Sequence, residues 1–393
     1  MKTTIGASAR LLSVCIAVAG ASCSRGGEPP ARTSGETPPP AKSLEVATKR
    51  VAKVRTTAKP RPNAFCPAGR SEKRNQPSIP VDRNEADAAR KALEERRVRF
   101  GANEFVNAAG RRGGDGGAHA RELVGLFLKA GMAVDERNAL GMTALMAAAS
   151  EGRADLVALL LEHGADPDAA DTYGQSALTQ AASRGRAETV RLLLEACADP
   201  NQAERDQTAL LLAARAGAVE TAEMLLRAGA DPLVTDRSGG TTLHAAAAAG
   251  TLALVKLLVE YGADVKAEES AGSTPLHRLL GYQSPDEPVC GSCDLPLKLL
   301  PASRKEYARA RKLENDRTRA PIAAFLIEEG ADADAETDDD QTPLMLAAAK
   351  NYPECVRTLL AEGADSGEEN SDGKTALEIA RGHGSLDAVE ALQ

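Results

Sequence analysis

Apolar residues recur along the chain at a period close to 33 residues, from about residue 140 to the C-terminus. The most regular marker is a short signature of Thr or Ser, then any residue, then Leu. Its copies begin at Thr143, Ser176, Thr208, Thr241, Thr274, Thr342 and Thr375. The steps between copies are 33, 32, 33, 33, 68 and 33 residues. This period predicts a repeated supersecondary unit whose copies bury their apolar faces against one another.

The pattern inside one unit predicts two short helices and a turn. Thr143 can cap a first, alanine-rich helix, and Gly152 ends it. An apolar stripe at helical spacing then marks the second helix, formed by Leu156, Val157, Leu160 and Leu161. A Gly follows this helix, where left-handed backbone is easily adopted; its copies are Gly164, Gly229, Gly262, Gly330 and Gly363. Residues 171–174 supply turn chemistry for a hairpin between units.

The order of helix, turn, helix and hairpin resembles the ankyrin repeat. The segments Thr274-Pro275-Leu276-His277 and Gly164-Ala165-Asp166 match its signatures. The resemblance covers residues 102–393 and implies an all-α ankyrin-repeat solenoid of about eight units. An irregular unit, with helices at 105–110 and 122–130, precedes the seven regular ones. The step of 68 residues predicts an insertion at about 281–317, between the helices of the sixth unit.

Residues 82–101 are predicted to form a capping helix over the open end of the first repeat, because terminal units of a solenoid need cover. Asp82 and Glu85 have the spacing of a capping box. Residues 23–81 are rich in Pro, Thr, Lys and Arg, with no apolar pattern, and are predicted to be a disordered linker. Between residues 24 and 80 there are twelve Lys or Arg against four Asp or Glu.

Residues 1–22 have the pattern of an export signal. Lys2 and Arg10 are followed by an apolar stretch at 11–20, which is too short to span a bilayer. Ala19 and Ala21 suit an ordinary signal peptidase. The alternative is a lipid anchor on Cys23, because a cysteine after small residues resembles a bacterial lipobox, although that family usually has Leu where this chain has Gly20. The lipoprotein is the favoured interpretation, and both routes predict the cell envelope or secretion.

Charge and composition limit the classes of partner. The net charge of −8, combined with the basic linker, leaves an acidic repeat array, which argues against nucleic acid and favours a basic or neutral protein partner. The same acidity could serve solubility alone. The chain has no Trp and 3% aromatic residues, as expected for thin alanine-rich stacking. A monomer is expected, in contact with the membrane only through its lipid anchor.

The cysteines and histidines are the residues of this chain most suited to chemistry. Cys290 and Cys293, inside the insertion, are predicted to form a small structural disulfide, with a metal half-site and thiol-redox activity as alternatives. Cys197 stands where other units have Gly, which predicts slight strain, and Cys66 in the linker is expected to be a free thiol. The histidines form no catalytic arrangement, so we predict no enzyme activity and no cofactor or metal.

The leading functional hypothesis is an exported, membrane-tethered protein that binds another protein. The resemblance implies that a partner meets the hairpin tips and the exposed positions of the first helices. On this chain the candidate contact residues are Tyr173, Arg184, Arg205, Arg215 and Arg237. The alternatives are an envelope protein that acts through Cys290 and Cys293 in thiol-redox or metal chemistry, and a cytoplasmic scaffold.

Overall fold

The computed structural model describes residue 66 and residues 82–110, 118–203, 206–281 and 304–393, with the backbone alone for 304–314. All of them belong to the second of the two compact units into which the chain divides, residues 57–393. The predicted export signal, most of the linker, Arg205, Cys290 and Cys293 lie outside the described residues.

Short helices follow one another in pairs along the described chain. The N-terminal three are α1 (Arg83–Glu95), α2 (Ala102–Ala109) and α3 (Ala118–Lys129). The regular units contribute α4 (Ala144–Glu151), α5 (Ala154–Glu162), α6 (Ala177–Ser183), α7 (Ala187–Glu195), α8 (Ala209–Arg215), α9 (Val219–Arg227), α10 (Thr242–Ala249), α11 (Leu252–Glu260), α12 (Pro275–Leu279), α13 (Arg304–Glu328), α14 (Pro343–Lys350), α15 (Pro353–Ala361), α16 (Ala376–His383) and α17 (Leu386–Ala391).

The helices stack in two layers. The first helices of successive units, from α2 through the even-numbered helices to α16, pack against one another in order. The second helices, from α3 through the odd-numbered helices to α17, form the other layer, and α1 packs on α3. Among the described residues no β-strand occurs, and the hairpins contribute only isolated bridges such as Ala170–Ser176. The predicted helical repeat is confirmed.

The unit that starts at Thr143 shows why this sequence folds in this way. Thr143 Oγ1 accepts a hydrogen bond from the Met146 backbone N–H at 3.3 Å, which begins α4. Gly152 ends that helix with a left-handed φ of 74°. In the second helix Leu156 and Leu160 are completely buried, whereas Leu161 is half-buried. The small Ala residues of α4 let its neighbours approach closely enough to cover this stripe.

The capping helix α1 is shorter than its predicted range. Asp82 caps it by accepting from the Asn84 backbone N–H at 2.9 Å. The helix ends at Glu95, before Arg97, which has a left-handed φ of 56° that a helix cannot contain. Ala89 and Leu93 are its buried residues. This narrow apolar face covers α3, at the open end of the first repeat.

The long helix α13 includes part of the predicted insertion. It begins at Arg304 and continues as one helix through Pro321 to Glu328, so residues 304–317 extend the second helix of the sixth unit. Asp316, near the middle of α13, is buried. Its carboxylate accepts from the backbone N–H groups of Glu354 at 2.8 Å and Cys355 at 2.9 Å. One unit thereby supplies the N-terminal cap of the next unit's second helix, α15.

No helix among the described residues combines the length and the apolar character that crossing a bilayer requires.

Candidate protein-binding surface

Four of the hairpin turns between units are shaped by an Asn or Asp side-chain oxygen at the same place, five residues before the Thr or Ser cap. Asn138 Oδ1 accepts from the backbone N–H groups of Leu140 and Met142, at 2.9 and 3.0 Å. Asp171 does the same for Tyr173 and Gln175. Asp236 and Asn370 hold their hairpins in the same way. These closed turns fix the direction in which the tip residues project.

Neighbouring hairpin tips are also joined to each other. The Thr172 side chain and backbone N–H both donate to the Leu140 carbonyl, at 2.9 and 3.2 Å. Further along, the Ser270 N–H donates to the Ser238 carbonyl at 2.7 Å, and the Asp338 N–H to the Ala271 carbonyl at 3.1 Å. We call the described tips, residues 138–142, 171–175, 236–240, 269–273, 337–341 and 370–374, the hairpin ridge. The links between tips make the ridge a preorganised surface.

Two apolar side chains project from adjacent tips of the hairpin ridge. Leu140 is 51% exposed and Tyr173 is 55% exposed. They lie on consecutive hairpins that share the Thr172 hydrogen bonds. Exposed aromatic side chains such as Tyr173 are typical anchors of protein interfaces, and Leu140 on the neighbouring tip adds apolar area.

The predicted contact arginines differ in how closely they pair with carboxylates of the repeat array. Arg184 Nη1 lies 3.1 Å from Glu151, which occupies the equivalent place one unit earlier. Arg215 Nη2 lies 2.7 Å from the carboxylate of Asp236. Both pairs connect neighbouring units. The sequence already indicated the pair of Arg184 and Glu151. These residues are 33 positions apart, and residues one period apart lie over each other in the stack.

Arg237 is the most accessible of the three described arginines. Its side chain is 71% exposed, and its Nε lies 3.6 Å from Asp206. An exposed pair at this distance contributes about 0–1 kcal/mol, so it is easily exchanged for a partner's carboxylate.

Asp236 both closes its hairpin and forms an ion pair with Arg215. Burial would raise the pKa of this carboxyl. The hydrogen bonds from Ser238 and Gly240, together with the charge of Arg215, outweigh burial and hold the pKa below its ordinary value. Asp236 is therefore ionised near neutral pH and keeps its hairpin closed.

His244 and His277 act inside the array. The Thr241 backbone N–H can only donate, so His244 Nδ1 accepts it at 3.1 Å, and the protonated Nε2 donates to the Ser273 carbonyl at 3.0 Å. His277 makes the same link from Thr274 to the Gln341 carbonyl, at 3.2 and 2.9 Å. Burial lowers the pKa of both imidazoles, that of His244 to about 4. Each neutral ring ties its own unit to the following hairpin.

The ridge becomes acidic toward its C-terminal end. Asp338, Asp339, Asp340 and Asp372 are exposed on two successive tips, and Glu268 lies beside an earlier one. Within the part of the chain that the structure describes, no group of three or more His, Cys, Asp or Glu side chains could hold a metal ion.

The expectation that Cys66 is a free thiol is wrong. Cys66 forms a disulfide with Cys197, at a Cα–Cα distance of 4.9 Å and across 131 residues of sequence. Cys197 has the predicted left-handed backbone, with φ of 63°. One feature of the sequence indicated this bond: Cys197 stands in place of the Gly that ends the second helix of other units. Cys355 is buried, and burial raises the pKa of its thiol.

Comparison with known proteins gives a family-level result. The model of a family described as "Ankyrin repeats (3 copies)" matches residues 116–204, 164–236, 210–286 and 314–393, which together are more than half of the chain. A search of curated proteins finds no match.

Proposed function

Because the chain belongs to the ankyrin-repeat family, whose repeats generally mediate protein–protein interactions, we propose that it is an exported binding protein that holds a protein partner on its hairpin ridge. In this proposal Leu140 and Tyr173 anchor the contact, and Arg184, Arg215 and Arg237 add further contacts. Arg205, which lies outside the described residues, stays a predicted contact residue. The observation that carries the proposal is the pair of apolar side chains, each more than half exposed, on two hairpins that are fixed by hydrogen bonds.

The energetics favour this pair as the anchor. Burial of a large apolar side chain contributes roughly 1.5–3 kcal/mol, and a fixed turn reduces the entropy lost on binding. The exposed carboxylates at the C-terminal end of the ridge favour a partner with a basic surface. Charge therefore orients the partner, and the apolar pair supplies most of the affinity.

The test uses alanine substitutions on the full mature chain. Partner protein retained from an envelope fraction by the immobilised chain is titrated against Tyr173→Ala, Leu140→Ala and the control Leu233→Ala. Leu233 is also 55% exposed but lies in the loop after the second helix α9. We expect Tyr173→Ala to weaken binding by about 2 kcal/mol, or roughly thirtyfold, and Leu233→Ala to leave binding unchanged. Equal effects of the two substitutions would refute the proposed surface.

Export is the second part of the proposal. It is supported by the Cys66–Cys197 disulfide, because disulfides persist in oxidising compartments and are rare in the cytosol. The signal at residues 1–22 would direct the chain out of the cytoplasm, and Cys23 would carry the lipid that tethers it. Fractionation separates this proposal from the cytoplasmic scaffold, which predicts soluble protein with reduced Cys66 and Cys197.

Lipidation of Cys23 is tested by metabolic labelling with a fatty-acid analogue. We expect the label on the wild-type chain and its loss in Cys23→Ser, since the thiol of Cys23 is the proposed attachment point. Cys66→Ser is the matched control and should keep the label. A mature protein that begins at Ser22 without lipid would contradict the anchor and favour cleavage by an ordinary signal peptidase.

A further inference from the structure

We propose that the Cys66–Cys197 disulfide is an oxidation-dependent clamp on the N-terminal end of the repeat array. The bond attaches the chain that precedes α1 to the turn that follows α7. The closed loop therefore contains α1, the irregular first unit and both helices of the next two units. The proposal is that the clamp holds this end in place, whereas the units beyond α7 do not depend on it.

The N-terminal end is weakly held by other contacts. Of the 13 residues of α1, only Ala89 and Leu93 are buried. The segment that follows α1 adds the stacking of Phe100 on Phe127. The other described attachments to the first unit are polar: Arg90 Nε donates to the Ala130 carbonyl at 3.1 Å, Lys129 lies 3.2 Å from Glu85, and Arg96 pairs with Glu122. Contacts of this kind contribute little, and a terminal unit has a neighbour on one side only.

The position of Cys197 indicates that the main role of its side chain is the bond to Cys66. The equivalent residues Gly164, Gly262, Gly330 and Gly363 all have positive φ, and an added Cβ at any of them would meet no atom within 4 Å. At these four positions a side chain would therefore be costly for the backbone and would gain no contact. In this unit a cysteine takes the place of the Gly, and its sulfur is bonded to that of Cys66.

The chemistry of the bond favours a lasting clamp over a catalytic disulfide. Formation removes two protons and two electrons from the two thiols, and a disulfide donor accepts them and becomes a dithiol. Cys197 is only 8% exposed, whereas Cys66 is half-buried, so an incoming thiolate attacks the Cys66 sulfur and expels Cys197 as a thiolate. That thiolate would form at the C-terminal end of α7, where the partial negative charge of the helix disfavours it. A poor leaving group makes the reduction slow.

The test is hydrogen exchange, measured by mass spectrometry, on the full chain in oxidised and reduced form. Two variants remove the bond: Cys66→Ser keeps Cys197, and Cys197→Gly restores the residue that other units use. We expect the amides of α1 to α3 to exchange at least about tenfold faster in both variants and in reduced wild type, with α14 to α17 unchanged in all samples. Because Cys197→Gly relieves the turn, its loss of protection cannot come from backbone strain.

Peptide mapping of the oxidised chain accompanies the exchange data and must show Cys66 joined to Cys197. Equal protection of α1 to α3 in oxidised wild type and Cys197→Gly would overturn the clamp, as would faster exchange spread evenly over all units. Free thiols at both positions in protein isolated under non-reducing conditions would overturn it too. If either variant fails to fold, the oxidised and reduced wild-type samples decide between the same outcomes.

Discussion

Two buried histidines each connect two successive units, because both nitrogens of the imidazole ring are hydrogen-bonded. His244 and His277 each accept at Nδ1 from a backbone N–H of their own unit and donate from Nε2 to a carbonyl of the next hairpin. Protonation of Nδ1 would convert the acceptor into a donor that faces another donor. The hairpin ridge is therefore held by residues that must remain neutral.

This arrangement makes stability dependent on pH. The pKa of His244 is lowered from 6.5 to about 4 by burial, so between these values the unfolded chain binds the proton and the folded chain does not. The stabilisation is complete above about pH 6.5 and is lost progressively as the pH falls toward 4, by roughly 3 kcal/mol at most. Urea unfolding at a series of pH values measures it.

The matched variants for that experiment are His244→Gln and His383→Gln. His383 is exposed at the end of α16, and its substitution is the control because it leaves the hydrogen bonds of His244 in place. His244→Gln should flatten the fall in the free energy of unfolding between pH 6.5 and 4. A curve that keeps its full slope in His244→Gln would show that the ring is not the titrating group.

At the scale of elements, the long helix α13 is the main departure from the repeat. Its N-terminal part carries Asp316 to the start of α15, where the residue before the helix, Tyr352, offers no side-chain cap. Pro353 begins α15 without a backbone N–H of its own, and Asp316 satisfies the next two. The extension of α13 thus contributes to the packing of the sixth regular unit, which starts at Thr342.

Removal of this shared cap should be costly. We expect Asp316→Ala to lower the free energy of unfolding by about 1–3 kcal/mol, because two buried N–H groups lose their acceptor. Asp338→Ala, at an exposed hairpin tip, is the control and should change stability by less than about 0.5 kcal/mol. Denaturant midpoints compare the two. Equal midpoints for wild type and Asp316→Ala would mean that water replaces the carboxylate.

The sequence predicted the repeated elements because their signals are local. Thr143, Gly152 and the stripe at Leu156 and Leu160 act within one unit and recur in the others. The helical part of the insertion was not predicted, since residues 304–317 are mostly polar and lack an apolar stripe. The Cys66–Cys197 bond was not predicted either, because a pairing across 131 residues depends on how the units stack.

The candidate binding surface was also only partly predictable from the sequence. A residue at a hairpin tip, such as Tyr173, projects outward in any array of this period, so its exposure followed from its register. Which arginines are engaged by carboxylates depended on the rotamers of neighbouring units. Arg184 and Arg215 are held by Glu151 and Asp236, and they contribute to the array as well as to its surface.

At the scale of the whole molecule, the central claim is that the hairpin ridge binds a partner protein through Leu140 and Tyr173. Site-specific photo-crosslinking in intact cells tests it most directly, with a photoreactive residue placed at 173 or, as control, at 233. The account predicts one discrete protein adduct from position 173 and none from position 233. Adducts of equal yield from both positions, or an adduct from 233 alone, would contradict it.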